Sequence, residues 1–164
     1  HLDYGFCPDI ICLAKAYGGG LPLGAFVAPE HIMKVIQADP ILGHITTFGG
    51  NPVSCAASLG VFEALESFPE LMADIPAKEQ HILDVLVHPS IEKISGKGLM
   101  YCLWLKHEID SFAVIDRLEK EGLITNSFLF AENAIRITPP LTITSEELDK
   151  GLKLILRVIE EFSA

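Results

Sequence analysis

The sequence predicts an α/β fold in which helices cover one face of a small sheet. The C-terminal half supports this class because residues 91–162 run twice through the order strand–strand–helix. The N-terminal half begins with a short apolar run, residues 9–14, which is typical of a strand buried on both faces. About half of the 164 residues are hydrophobic, enough to bury a core in one domain or in two very small ones.

The first part of the chain combines two strands with two helices. Three consecutive glycines and a proline rule out a regular element over residues 17–24. A short strand follows at 25–28, and Pro29 then begins a helix that we expect to end near residue 38. A loop rich in Gly, Thr, Asn and Pro leads to a second helix, from 53 to about 67.

The second part of the chain contains the clearest helical signals. We expect helices over 77–87 and 111–122, two strands around a glycine turn within 91–106, and strands over 123–128 and 134–138. In the last helix Thr144 and Glu147 form the pattern of a capping box. Its core face is predicted to consist of Leu148, Leu152, Ile155 and Ile159.

Composition excludes several classes of function. A net charge of −10 argues against nucleic-acid binding, which needs a basic face, and against anionic membrane surfaces. No apolar run reaches the length of a membrane span. The four cysteines have no metal-binding spacing, so we expect no metal site and predict reduced, buried thiols of a cytoplasmic protein.

Lys15 stands at the end of the first apolar run, just before the glycines. It has two interpretations. It is either a surface charge where a strand meets solvent, or an amine presented for chemistry. A lysine attacks a carbonyl only when it is neutral or already bound as an imine, and burial or nearby cations produce that state. Spacing alone favours the surface charge.

The segment "HITTFGGNP", residues 44–52, also has two interpretations. It is either a polar turn before a helix or an anion site. The hydroxyls of Thr46 and Thr47 can donate to phosphate oxygens, and glycine N–H groups can join them. The residues alone leave the two interpretations equal.

Arg136 lies between two isoleucines in "IRITPPLTI", so its side chain points opposite to its apolar neighbours. It belongs either to the polar face of an edge strand or to a site where its guanidinium binds a carboxylate in a bidentate manner. The two prolines that follow end the strand and do not select between these readings.

Together these segments resemble a known family. "PDIICLAKAYGGGLPLGAFVA", "HITTFGGNPVSCAASL", "ISGKGLMYCLWL" and "IRITPPLTITSEELDKGL" are similar, in order and nearly in spacing, to the class-III, fold-type-I aminotransferases that use pyridoxal phosphate. Ornithine and acetylornithine aminotransferases are the nearest likeness. The resemblance implies amino-group transfer from an amino acid, with an ω-amine expected, to a 2-oxo acid. It also implies a homodimer with its site at the interface.

The resemblance also implies roles for individual residues. Lys15 matches the lysine that links covalently to pyridoxal phosphate and then moves the substrate proton. Thr47 matches the threonine that contacts the cofactor phosphate across the dimer interface, and Thr46 matches its hydroxyl neighbour. Arg136 matches an arginine that engages a substrate carboxylate.

The chain departs from the family pattern at its beginning. The segment with the aspartate that pairs with the cofactor's pyridine nitrogen is not present, and Asp3 and Asp9 do not sit in that motif. We therefore expect a C-terminal fragment of the transferase fold that is inactive alone. Residues 1–66 would be the end of the large domain's sheet with an interdomain helix, and residues 67–164 the small α/β domain.

Two other functions remain open from the sequence. The same lysine and fold could serve other pyridoxal-phosphate chemistry, as in an aminomutase or a decarboxylase. Alternatively, the chain could be a non-catalytic domain that keeps the fold for dimerisation or partner binding. The joint presence of Lys15, Thr47 and Arg136 favours the enzyme, because a pure scaffold needs none of the three.

Overall fold

The computed structural model describes residues 4–38, 40–41 and 43–163. Contacts divide the chain into two units, His1–Phe68 and Pro69–Ala164, which are described separately below.

The first unit is a two-stranded ribbon with short helices and one long helix. The strands pair antiparallel, with Cys12 opposite Phe26. The helix expected over 29–38 is interrupted at Lys34 and forms two four-residue helices instead. In chain order the elements are β1 (Ile11–Leu13), a 3₁₀ turn (Lys15–Gly18), β2 (Ala25–Val27), α1 (Glu30–Met33), α2 (Val35–Ala38) and α3 (Pro52–Ser67).

Burial in this unit differs from the sequence-based expectation. Cys12 in the middle of β1 is exposed, so the prediction of a strand buried on both faces is wrong for this chain. Cys7 and Cys55 are also exposed and Cys102 is partly buried; all four cysteines are free thiols. The expectation of buried thiols therefore fails for three of them. The physical reason is that the described part of this unit contains no buried apolar layer against which the ribbon could pack.

The second unit is a four-stranded antiparallel sheet with helices. Its strand order is β3-β4-β6-β5, so the two hairpins lie side by side. The turn between the first two strands lies at Gly98–Leu99, so it overlaps the turn expected over 95–98 only at Gly98, and Ser95–Lys97 belong to the strand. The elements are α4 (Glu70–Ala73), α5 (Ile75–Val85), β3 (Ile91–Lys97), β4 (Met100–Leu105), α6 (Ser111–Lys120), β5 (Ser127–Phe128), β6 (Ala131–Ile137) and α7 (Ser145–Glu161).

The core of this unit lies between one face of the sheet and the three longer helices. Side chains alternate along a strand, so inward residues of β4 and β6 share a cluster with α5, α6 and α7. The opposite face carries Cys102, Trp104 and Arg136. This confirms the predicted sheet with helices on one side. The sheet contributes Tyr101, Leu103, Leu105, Ile135 and Ile137; the helices contribute Ile82, Val114, Leu118, Leu148, Leu152, Ile155, Val158 and Ile159.

The last helix begins as its sequence predicts. The Thr144 hydroxyl accepts a 3.1 Å hydrogen bond from the Glu147 N–H, and the Glu147 carboxylate accepts one of 3.0 Å from the Thr144 N–H. All four residues of the predicted core face of α7 are buried. Among the described residues, no helix is long and apolar enough to cross a membrane.

Candidate functional site

Lys15 opens the 3₁₀ turn that follows β1, with its side chain exposed. Its φ of 61° places the backbone in the left-handed region, and no other non-glycine residue in the described ranges has a positive φ. For an L-residue this conformation costs on the order of 1–2 kcal/mol. Strained backbone of this kind concentrates at active sites, where it fixes the direction of a side chain. The exposed side chain lacks the burial that the chemical interpretation calls for, so the strained backbone is the feature of this chain that supports that interpretation.

The glycines after Lys15 allow the turn to lie directly on helix α3. A Cβ added at Gly19 would collide with the backbone carbonyl of Ala57, whereas one added at Gly20 would meet open space. The ring of Tyr17 packs edge-on against Phe62, with centroids 6.1 Å apart. The turn is therefore fixed to α3 on both sides, and Lys15 sits on a supported element.

The loop before α3 offers several hydrogen-bond donors. Thr46 and Thr47 are exposed, and within the described ranges their hydroxyls have no hydrogen-bond partner. Gly49 lies against the Thr46 hydroxyl so closely that a Cβ there would overlap it, and Gly50 has a φ of 70°. The loop is thus compact around the Thr46 hydroxyl.

The N-terminus of α3 is already capped. The side-chain oxygen of Asn51 accepts from the N–H groups of Val53, at 3.0 Å, and Ser54, at 3.3 Å. An anion at this loop would therefore be held by the Thr46 and Thr47 hydroxyls rather than by those helix N–H groups. The two hydroxyls of this loop suit the phosphate of a ligand, and the amine of Lys15 suits a carbonyl group.

Arg136 lies on β6, on the sheet face away from the helices. Its guanidinium carbon is 5.0 Å from the centre of the Phe128 ring, and its Nη2 donates to the Ser127 carbonyl at 3.3 Å. Its Nε is buried and has no partner among the described residues. Arg136 also borders a largely apolar cavity of about 430 Å³ between the loop after α6, the end of β6 and α7. An unsatisfied cationic donor of this kind favours a carboxylate site over a plain edge strand.

The residue that pairs with Arg136 across β4 is a neutral thiol. Cys102 lies directly across from it on β4. Burial raises the pKa of the Cys102 thiol, although a hydrogen bond with Ser95 and the charge of Lys93 oppose the change. The thiol is therefore neutral at pH 7. Lys93 itself stacks over Trp104, at 4.4 Å from the ring centre.

The structure places some of the candidate residues in one unit and another candidate in the second unit. Lys15 and the Thr46–Thr47 loop belong to one unit and are linked through α3, which the lysine turn contacts and the loop precedes. Arg136 belongs to the other unit. Sequence reasoning missed Phe128 and Ser127 as partners of Arg136. No sequence signal could have found them, because the pairing of β5 with β6 shifts register between these two residues.

Comparison with solved structures shows the class of protein. The chain superposes on the ornithine aminotransferase from Toxoplasma gondii with a TM-score of 0.83 and 27% identity, covering 98% of this chain and 39% of that one. That structure was reported with partial occupancy of PLP, pyridoxal phosphate, at its active site. The fold is that of the aminotransferases, so the predicted α/β class and transferase fold are confirmed.

The family is equally clear. The class-III aminotransferase family profile matches residues 1–159, so the chain belongs to this family. It is 36% identical to the acetylornithine aminotransferase of Haemophilus ducreyi, over 94% of this chain and 37% of that protein. It is 35% identical to the putrescine aminotransferase of Pectobacterium atrosepticum, over 98% and 35% respectively. The chain thus spans little more than a third of the length of these curated relatives.

Proposed function

We propose that the polypeptide containing this chain transfers an amino group from an amine-bearing substrate to a 2-oxo acid with pyridoxal phosphate as its cofactor. The observation that carries this proposal is Lys15, an exposed lysine in a left-handed conformation on a turn fixed to α3. Family membership supports the reaction class. The four free thiols suit the reducing conditions of the cytoplasm, which is the location we propose.

Lys15 has two tasks in this proposal. Its Nζ would hold the cofactor through the aldehyde group, and the amine would carry a proton from the substrate Cα during the reaction. When bound, pyridoxal phosphate supplies the electron sink that makes this Cα–H acidic enough to break. The left-handed backbone of Lys15 sets the direction in which its side chain leaves the turn.

The other candidate residues bind and orient. The hydroxyls of Thr47 and Thr46 donate to the cofactor phosphate, in a homodimer whose Thr47 serves the site of the opposite subunit. Arg136 binds a carboxylate of the amino acid or the 2-oxo acid, since its buried Nε is unsatisfied and no acidic side chain among the described residues pairs with it. Residues 1–66 would belong to the end of the large domain and residues 67–164 to the small one.

The substrate class follows from the named relatives. Acetylornithine, putrescine and ornithine each have an aliphatic chain that ends in a primary amine. We therefore propose an ω-amino substrate. Because the chain covers little more than a third of such enzymes, we also propose that residues 1–164 alone do not catalyse the transfer.

A product assay tests the reaction class. The complete gene product that contains this chain is incubated with pyridoxal phosphate, putrescine or ornithine, and 2-oxoglutarate. We expect glutamate to form in step with loss of the amine, and only when 2-oxoglutarate is present. Release of CO₂ or an isomerised amine without the acceptor would indicate the decarboxylase or aminomutase alternatives. Purified residues 1–164 should form no glutamate under the same conditions.

A further inference from the structure

Arg136 differs from the other two arginines of the chain in the kind of partner it has. Arg117 pairs with Glu121 and Glu161, and Arg157 pairs with the same two carboxylates. Within the described ranges Arg136 has no acidic partner. No acidic side chain among the residues that the structure describes therefore neutralises its positive charge.

Two contacts from the neighbouring strand hold Arg136 instead. The Phe128 ring lies 5.0 Å from the guanidinium carbon, within the range of a cation–π contact, and the Ser127 carbonyl accepts from Nη2. The Arg136 N–H donates to the Asn126 carbonyl at 2.8 Å, which fixes the backbone beside them. A ring face attracts the guanidinium without accepting its in-plane N–H groups. The side chain is thus oriented while donors, including the buried Nε, stay unused.

Phe128 is not part of the hydrophobic core. The buried cluster and its partly buried neighbours do not include it among the described residues. The next two residues, Leu129 and Phe130, are 91% and 99% exposed at the tip of the hairpin. Only Phe128 of this aromatic stretch turns back onto the sheet face, over the arginine.

We propose that Phe128 is a positioning residue that holds the Arg136 guanidinium in the orientation that receives the substrate carboxylate. This inference rests on the proposed function, because it assumes that Arg136 binds that carboxylate. The ring acts only through the arginine and has no contact of its own with the reacting atoms.

Nuclear magnetic resonance of the complete gene product, loaded with pyridoxal phosphate and labelled with ¹⁵N-arginine, tests the proposal. The Arg136 Nε–H signal is identified by its loss in Arg136→Lys. Two quantities are measured: the order parameter of this N–H bond and the affinity for 2-oxoglutarate from its chemical-shift changes. The variants are Phe128→Ala, Phe128→Tyr, which keeps a ring, and the exposed neighbour Phe130→Ala as the matched control. The Arg117 and Arg157 signals report whether the fold is intact.

We expect Phe128→Ala to lower the order parameter of Arg136 alone and to weaken 2-oxoglutarate binding about two- to fivefold, the range of a partly exposed cation–π contact. Phe128→Tyr should restore both values, and Phe130→Ala should change neither. An unchanged order parameter or an unchanged affinity in Phe128→Ala overturns the positioning role while leaving the proposed function standing. If the wild-type Arg136 signal does not respond to 2-oxoglutarate, the assignment of Arg136 in the proposed function is wrong, and the inference fails with it.

Discussion

The phenol of Tyr101 donates a 2.5 Å hydrogen bond to the carboxylate of Glu79 and thereby joins β4 to α5. Burial and then this carboxylate raise the pKa of Tyr101 from its ordinary 10.0 to about 12. In the folded state the phenol thus keeps its proton at a pH where the unfolded chain loses it. The contribution to stability is complete below pH 10 and is lost as the pH rises towards 12. By linkage it amounts to about 2–3 kcal/mol.

Tyr101→Phe should remove this loss of stability at alkaline pH. At pH 7 we expect the variant to lower the free energy of unfolding by about 1.5–3 kcal/mol, the value of a hydrogen bond to a charged group. Urea denaturation of both proteins at pH 7, 10 and 11.5 measures the two effects. If the free energy of unfolding falls equally with rising pH in the variant and the wild type, another titrating group is responsible.

Gly19 and Gly20 offer a matched pair for the turn that carries Lys15. Both have a positive φ, so an alanine at either position carries the same left-handed strain. Only at Gly19 would the new Cβ also meet the Ala57 carbonyl, which belongs to the backbone of α3 and cannot turn aside. In the complete gene product we therefore expect Gly19→Ala to lower stability by about 1–3 kcal/mol more than Gly20→Ala. Equal denaturation midpoints for the two variants would contradict the close packing of the turn on α3.

The capping box of α7 gives a local test with a pH dependence. Thr144→Ala should cost about 1 kcal/mol of the free energy of unfolding. Hydrogen bonds from the backbone and side chain of Thr144 lower the pKa of Glu147 below its ordinary 4.5. The Glu147 part of the cap is therefore present above pH 4.5 and is lost as the pH falls through the lowered pKa, so the penalty of Thr144→Ala should shrink in acid. Ser145→Ala, also exposed in the first turn, should show neither effect in urea denaturation at pH 7 and pH 3.

The two units should differ in their ability to fold alone. Every buried hydrophobic residue of the described chain lies between Ile82 and Ile159. Residues 69–164 therefore have a core of their own, whereas residues 1–68 leave large apolar side chains such as Phe48 exposed. We expect residues 69–164 to unfold cooperatively in urea when followed by circular dichroism. A broad, non-cooperative loss of signal from this piece, or a sharp transition from residues 1–68, would refute this division of stability.

Features that depend on residues close together in the sequence were predicted correctly. The capping box at Thr144 and the buried face of α7 were predictable because both depend on residues within one or two turns of each other. The same holds for α3, which begins at Pro52 beside its cap Asn51. The β3–β4 hairpin was likewise predictable from the glycine-marked turn between its strands.

Features that depend on distant neighbours were not predictable. An apolar run such as residues 9–14 indicates a strand but not what covers it, and Cys12 proved exposed. The left-handed φ of Lys15 depends on the packing of its turn against α3, which leaves no trace in the local sequence. The contact between Phe128 and Arg136 depends on an irregular strand register. Each of these features could be recognised only from the three-dimensional structure.

The most direct test of this account is to find which lysine binds pyridoxal phosphate. The complete gene product is mixed with pyridoxal phosphate, reduced with borohydride and digested, and the modified peptide is identified by mass spectrometry. We predict the adduct on Lys15, its loss together with the cofactor absorbance band in Lys15→Ala, and its retention in Lys34→Ala, another exposed lysine of the same unit. An adduct on a different lysine, or undiminished labelling in Lys15→Ala, would contradict the central claim.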